Sequence, residues 1–221
     1  MGEAAKSAQA LPVICVLGSW SSGTSAVAGY IAKAGAYSCP PHFRTNDPRT
    51  PATFEATELQ ARCNAVIDEG TLRKRGSIEA FQQWLGPWLR EKSVLAREAG
   101  YDQIVIKHPL LMMLVRSVEH VCNAKWVMVT RPLDKIEATR KRRGWRSTLG
   151  EEGAKTLYPA AFSALVALEQ SYVTVSFPHF LQSPEVRTAL LQSLALGPDE
   201  DRKADAEGSL RLPVDPASNS A

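Results

Sequence analysis

Short apolar runs alternate along this chain with longer stretches in which apolar residues recur every three or four positions. Four of the runs have the length and the β-branched content of buried strands, and they cover residues 11–17, 104–106, 125–130 and 172–177. A further short strand is expected at residues 36–39. Because helical spacing follows the runs, the pattern predicts an α/β fold in three layers, a parallel sheet with helices on both faces.

The helical stretches carry recognisable end signals. The predicted helices cover residues 22–34, 57–70, 78–99, 110–122, 132–143, 154–171 and 184–197. Thr57 and Gln60 have the spacing of a capping box at the start of the second helix. Ser77 is expected to cap the third helix, and Gly86-Pro87 to break or kink it. Residues 40–53, which precede the second helix, are predicted to form a proline-broken loop.

The length of 221 residues, 44% of them hydrophobic, suits one α/β domain with a sizeable core over residues 1–197. Residues 198–221 are polar, charged and poor in large apolar side chains, so they are predicted to form a mobile tail. Deleting the chain from Gly208 onward should then leave the fold and ligand affinity intact. The tail is acidic, so the formal net charge of +3 reflects a mildly basic domain, which suits an anionic ligand.

Composition narrows the functional classes further. No apolar run is long enough to cross a membrane, and no apolar signal core precedes the first predicted strand, so a cytoplasmic protein is expected. The basic excess is too small to indicate nucleic acid as a partner. The four cysteines have neither disulfide-framework nor metal-ligand spacing, so no metal site is expected; they are Cys15, Cys39, Cys63 and Cys122.

A glycine- and serine-rich loop lies between the first predicted strand and the first predicted helix. Backbone N–H groups in such a loop, together with the helix N-terminus, attract phosphate. Gly18, Gly23 and Ser25 match the glycines and the hydroxyl of a P-loop, whereas Thr24 stands where a nucleotide kinase has lysine. A plain Gly/Ser turn is the alternative, and the buried character of the preceding strand favours the phosphate site. Its predicted members are Gly18, Ser19, Trp20, Ser21, Ser22, Gly23, Thr24 and Ser25.

Two other predicted strands also end in polar side chains. Lys107 and His108 follow one of them, and Arg131 follows the next. In a parallel sheet ligands bind at the carboxyl ends of the strands, so these groups are expected to meet the loop. Thr139 lies eight positions after Arg131, two helical turns along, and the pair could hold a phosphate. Arg140 and the residue after it are expected on a solvated basic face.

Together these motifs resemble the PAPS-dependent sulfotransferases, the bacterial type in particular. The family's 5′-phosphosulfate loop, basic-Ser-Gly-Thr-Ser/Thr, is similar to residues 21–25. Its Arg at a strand end, followed eight residues later by a Ser for the 3′-phosphate, resembles Arg131 and Thr139. A Lys-Asp-Pro or Lys-Thr-Pro strand end resembles Lys107-His108-Pro109, and an aromatic-Glu step before a helix resembles Phe54-Glu55. The similarity spans residues 13–196.

The resemblance implies a P-loop NTPase-like fold and a sulfotransferase. Such an enzyme would move a sulfuryl group from PAPS (3′-phosphoadenylyl sulfate) to a hydroxyl or amine of a small metabolite or sugar, leaving PAP, without a metal. The loop, Arg131 and Thr139 would hold the nucleotide, and Lys107 would stabilise negative charge during transfer. Glu55 or His108 would act as the base, and the resemblance favours Glu55.

One departure from the family pattern keeps other functions open. Ser21 stands where the family loop has a basic residue, and Lys107, Arg44 or Arg49 could supply the missing charge. A non-catalytic relative that binds a nucleotide or a protein partner is therefore one alternative. A P-loop nucleotide kinase is the other, disfavoured by Thr24 and by the lack of an evident acidic magnesium ligand at a strand end. Nothing in the sequence identifies the acceptor or the oligomeric state.

Overall fold

The sheet predicted from the apolar runs is present in the computed structural model, which describes residues 10–47, 50 and 52–210. The strands are β1 (Val13–Leu17), β2 (His42–Arg44), β3 (Ala52–Ala56), β4 (Ile67–Asp68), β5 (Arg73–Lys74), β6 (Ile104–Lys107), β7 (Ala124–Thr130) and β8 (Tyr172–Ser176). The helices are α1 (Thr24–Lys33), α2 (Thr57–Val66), α3 (Ile78–Glu98), α4 (Val115–Val121), α5 (Leu133–Arg142), α6 (Glu151–Ala167), α7 (His179–Gln182), α8 (Pro184–Ser193) and α9 (Glu200–Gly208), with 3₁₀ turns at Pro109–Met113 and Ser147–Leu149.

Four parallel strands form the central sheet in the order β6-β1-β7-β8. Val13 at the start of β1 lies opposite Ile104 of β6 and Ala124 of β7. Every residue of β1 is buried, and its side chains alternate between two apolar cores, one on each face of the sheet. Helices α2, α3, α4 and α6 contribute to one core, and α1, α7, α8 and α9 to the other. The predicted α/β fold with helices on both faces is confirmed.

The segment between α1 and α2 differs from its prediction. Residues 36–39 form no strand; Tyr37 makes a single parallel bridge to Ile104, through hydrogen bonds of 2.8 and 2.9 Å with the β6 side of the sheet. Residues 40–53 are not a simple loop, because β2 pairs antiparallel with β3. This small two-stranded unit places Glu55 near the carboxyl end of β6.

Helix boundaries follow the predicted signals only in part. The Ser77 cap of α3 is confirmed, since its Oγ accepts the N–H of Ala80 at 3.0 Å. The capping box at Thr57 is wrong: α2 begins at Thr57 itself, and its hydroxyl donates to the carbonyl of Pro41 at 3.3 Å. Helix α3 continues through Gly86-Pro87 without a break. The helix expected at residues 110–122 is a 3₁₀ turn followed by α4.

Part of the segment predicted as a mobile tail forms helix α9 (Glu200–Gly208) in the structure. Helix α9 packs against α1, and its Ala206 is fully buried. The Tyr30 hydroxyl donates to Glu207 at 2.9 Å, and the Arg187 guanidinium forms a bidentate pair with the same carboxylate at 2.9 and 2.6 Å. The buried Ala206 and the contacts of Glu207 with Tyr30 and Arg187 therefore hold this helix in place, although it has no large apolar residue. Residues 211–221 lie outside the described part of the chain.

Among the described residues, no helix is both long enough and apolar enough to cross a membrane.

Candidate functional site

The loop of residues 18–25 turns tightly between β1 and α1. The Ser22 hydroxyl and backbone N–H both donate to the carbonyl of Ser19, at 2.7 and 3.2 Å. Ser21 has a left-handed φ of 63°, and Gly23, the N-cap of α1, has a φ of 98°. No side chain caps α1 among the described residues, so the N–H groups of its first turn have no competing side-chain acceptor. This is the geometry of an anion-binding helix start.

Close packing explains the glycines of this loop. A Cβ added to Gly18 would lie 2.6 Å from Cγ2 of Thr24 and 2.9 Å from the Val129 carbonyl oxygen. A Cβ added to Gly23 would lie 2.5 Å from the ring of Phe177. All three distances are shorter than any ordinary contact, so a side chain at either position would displace the loop or its neighbours. Phe177, which follows β8, is a member of the site that the sequence did not indicate.

Arg131 and Thr139 lie together, at the positions that their spacing predicted. Nη1 of Arg131 donates to the carbonyl of Ser21 at 2.8 Å and to Oγ1 of Thr139 at 3.1 Å. Its guanidinium lies 5.3 Å from the centre of the Phe177 ring. Burial lowers the pKa of Arg131, and the neighbouring cation Arg143 lowers it further. An anion beside Arg131 would relieve both effects.

Two polar atoms next to this contact have no hydrogen-bond partner among the described residues. They are Nε of Arg131 and Oγ of Ser21, and both are buried. Buried polar atoms in folded proteins are almost always paired, so a donor pair of this kind marks a place for a ligand oxygen.

A buried ion pair links the loop to β3. The Lys107 ammonium donates to Glu55, to Oγ of Ser25 at 3.2 Å and to the Thr53 carbonyl at 3.4 Å. The Lys107 and Glu55 side chains are 4% and 9% exposed. Burial alone would raise the pKa of Glu55, but the charge of Lys107 and its hydrogen bond to the carboxylate oppose this effect, and the net result is a lowered pKa. Glu55 is therefore ionised, and the loop, Lys107 and Glu55 form one connected unit.

His108 is positioned to support this unit rather than to accept a proton. Its Nδ1 accepts the N–H of Leu110 at 3.3 Å, and its Nε2 lies 3.9 Å from Oε2 of Glu55. Burial lowers the pKa of His108 to about 4, so the ring is neutral at pH 7. Because its acceptor nitrogen is already occupied, Glu55 is the better placed of the two predicted bases.

The basic run at the end of α5 has a role that its sequence did not indicate. Arg143 donates to Asp47 at 2.6 Å and to Thr50 at 2.6 Å, and Arg142 pairs with Asp47 at 3.0 Å. These contacts join the segment between β2 and β3 to α5, across a separation of about 95 residues. Arg140 is not on a solvated face as expected; it is half-buried and pairs with Glu137 at 2.7 Å.

The structure separates the candidates for the charge that Ser21 lacks. Lys107 contacts the loop directly through Ser25. Arg44 lies in β2 with an exposed side chain. Arg49 lies outside the described residues.

Within the described part of the chain, no group of three or more His, Cys, Asp or Glu side chains is placed to hold a metal ion.

Fold and site together define an α/β protein with a P-loop NTPase-like fold, in which two cationic strand ends, Lys107 and Arg131, contact the glycine- and serine-rich loop. The fold is similar to that of the sulfotransferase STF1 from Mycobacterium tuberculosis H37Rv in its crystal structure, with a TM-score of 0.52 and 13% sequence identity. The similarity covers 93% of this chain and 73% of that one. No family model and no curated protein matches the sequence.

Proposed function

We propose that this protein is a PAPS-dependent sulfotransferase that acts on a hydroxyl or amine of a small metabolite or sugar. One observation supports it most: the Lys107–Glu55 pair lies against the last residue of the phosphate loop. A nucleotide-binding loop, a cation beside it and an ionised carboxylate on that cation are the groups that sulfuryl transfer needs. The fold similarity to a mycobacterial sulfotransferase agrees with this proposal.

The residues present fit the nucleotide. Loop N–H groups and the hydroxyls of Thr24 and Ser25 would hold its 5′-phosphate, as at other helix N-termini. Arg131 and Thr139 would hold its 3′-phosphate, and the unpartnered Nε of Arg131 supplies a free donor for that oxygen. When bound, PAPS supplies an activated sulfuryl group on its 5′-phosphate.

Transfer needs charge stabilisation and proton removal, and this chain provides a group for each. Lys107 neutralises the negative charge that builds on the leaving phosphate, the task of the basic residue that Ser21 replaces. Glu55 accepts the proton of the acceptor hydroxyl or amine after its contact with Lys107 has been replaced by a hydrogen bond from that acceptor. His108 holds the Glu55 side of the pair in place through its neutral ring.

Calorimetric titration with PAP tests the binding half of this proposal. We expect saturable binding that Arg131→Ala weakens by about 2 kcal/mol or more, roughly 30-fold, because a charged hydrogen-bond partner is lost. Lys141→Ala, two positions after Thr139 and exposed, is the matched control and should leave the affinity unchanged. Equal affinities in the two variants would contradict the assignment of Arg131.

Turnover of PAPS to PAP with a mixture of hydroxyl and amine acceptors tests the catalytic half. Acceptor-dependent release of PAP is expected. Binding of PAP without turnover for any acceptor would favour the non-catalytic relative. Magnesium-dependent ATP binding, with no affinity for PAP, would favour the nucleotide kinase.

A further inference from the structure

A cavity of about 360 Å³ lies at the opposite end of α1 from the phosphate loop. Its walls include Ala32, Lys33, Tyr37, Phe54, Tyr101 and Arg202. The two α1 residues in its lining, Ala32 and Lys33, belong to the last turn of that ten-residue helix, whereas the loop leads into its first turn. The loop residues, Lys107 and Arg131 do not line it. A ligand here would not compete for the transfer site.

One wall of the cavity is aromatic. The rings of Tyr37 and Tyr101 lie 5.7 Å apart at a tilt, and Phe54 lines the cavity as well. Rings arranged in this way accept a further planar ring by edge or offset contact. The volume falls within the range of small-molecule sites, which runs from about 300 to 1,000 Å³.

The cavity lining also carries two cationic side chains, Lys33 and Arg202, and one carboxylate, Asp205. Lys33 is paired with Asp205 at 2.8 Å, so these two wall residues neutralise each other. The Arg202 guanidinium lies 5.6 Å from the centre of the Tyr101 ring, and its ion pair with Asp199 is long, at 3.9 Å. Among the described residues it makes no side-chain hydrogen bond. Its two Nη groups can therefore donate to an anion, from a guanidinium that already lies over the Tyr101 ring.

We propose that this cavity is a second binding site, for a planar aromatic molecule that carries one carboxylate, sulfonate or sulfate group. The ring lies against Tyr37, Tyr101 and Phe54, and the anionic group pairs with Arg202. The site depends on α9, because that helix contributes Arg202 and Asp205. It goes beyond the proposed transfer reaction and does not depend on it.

Calorimetric titration with naphthalene-2-sulfonate tests this site. We expect saturable binding to the full chain, weakened about tenfold or more by Arg202→Ala, the effect of losing a charged partner. Lys203→Ala is the matched control, because Lys203 is the next residue of α9, is exposed, and pairs only with Glu200 at 4.0 Å. Tyr101→Leu should also weaken binding, through loss of the aromatic wall.

Two further results decide the location of the probe. Arg131→Ala changes the phosphate site and should leave the affinity for the probe unchanged. Unaltered melting temperatures would show that Arg202→Ala acts on the site and not on folding. No binding by the wild type, equal loss in Arg202→Ala and Lys203→Ala, or loss in Arg131→Ala alone would each overturn the proposal.

Discussion

Lys107 has three acceptors, and they hold its ammonium group before any ligand binds. Ser25 belongs to the loop, and Thr53 and Glu55 belong to β3. Lys107→Ala is expected to lower kcat about 10²-fold, the usual effect of removing one preorganised charge stabiliser. The affinity for PAP should fall much less, because the loop N–H groups and Arg131 remain. Steady-state kinetics and calorimetry on the same preparation measure both quantities, and an unchanged kcat would remove Lys107 from the mechanism.

Glu55 neutralises the cation that an incoming anion would use. Glu55→Gln keeps the shape of the side chain but removes its charge, so Lys107 becomes free to contact the nucleotide. We expect PAP to bind several-fold more tightly to this variant, and kcat to fall for hydroxyl acceptors that must lose a proton. Titration of the wild type and Glu55→Gln with PAP, beside their acceptor kinetics, checks the two effects together.

A double-mutant cycle tests whether Glu55→Gln tightens PAP binding by releasing Lys107. In a Lys107→Met background the gain from Glu55→Gln should disappear, because the cation that Glu55 occupies is absent. A gain that persists would mean that Glu55 repels the nucleotide directly, and the competition for Lys107 would be wrong.

Helix α9 shows how a segment with few large apolar residues can contribute to the stability of the fold. A chain that stops after Pro198 loses buried Ala206 and leaves Arg187 without the carboxylate of Glu207. We expect it to be less stable by about 2 kcal/mol or more, which lowers the Tm by roughly 4–8 °C. A chain that stops after Leu210 should melt like the full protein. Calorimetric scans of both truncations decide the matter, and equal Tm values would show that α9 contributes nothing.

Elements were predictable from sequence where local signals suffice. The runs that became β1, β6 and β7 are short and apolar because both faces of the sheet are covered there, and the sequence therefore shows them as continuous apolar segments. The loop glycines, and the spacing between Arg131 and Thr139, could also be recognised from residues close together in the sequence. Parallel strands end at the same edge of a sheet, so the sequence also predicts that the loop, Lys107 and Arg131 lie close together.

Elements whose structure depends on distant partners were not predictable. The hydroxyl of Thr57 had the right spacing for a cap, but β3 ends at Ala56, which is the N-cap, so the helix begins one residue earlier, at Thr57 itself. Tyr30 and Glu207 are 177 residues apart, and no local composition reports their hydrogen bond. Asp47 and Arg143 are likewise joined over 96 residues. From the sequence alone, charged residues of this kind are predicted to be exposed to solvent, because their partners are distant in the chain.

The stability of the whole molecule should depend on pH through His108. Its pKa is about 4 in the fold against 6.5 when unperturbed, so the unfolded chain binds this proton more readily. The resulting stability is fully present above pH 6.5 and is lost as the pH falls through 4. Between pH 7.5 and 5 the loss is about 2 kcal/mol.

Urea denaturation at the two pH values measures this loss. His108→Asn removes the titrating ring and keeps an acceptor for the N–H of Leu110, so its stability should change less over the same interval. An equal change in the variant and the wild type would assign the pH dependence to other groups.

The order of strands has a consequence for the time course of synthesis. Strand β1 is made first, is apolar throughout, and pairs with β6 and β7, whose register partners for Val13 are Ile104 and Ala124. At translation rates of about 5–20 residues per second, the first partner follows on the order of 5–20 s later. During that interval the strand that leads into the phosphate loop is an unpaired apolar segment at the ribosome. The early nascent chain is therefore the form of this protein with the greatest need of chaperone protection.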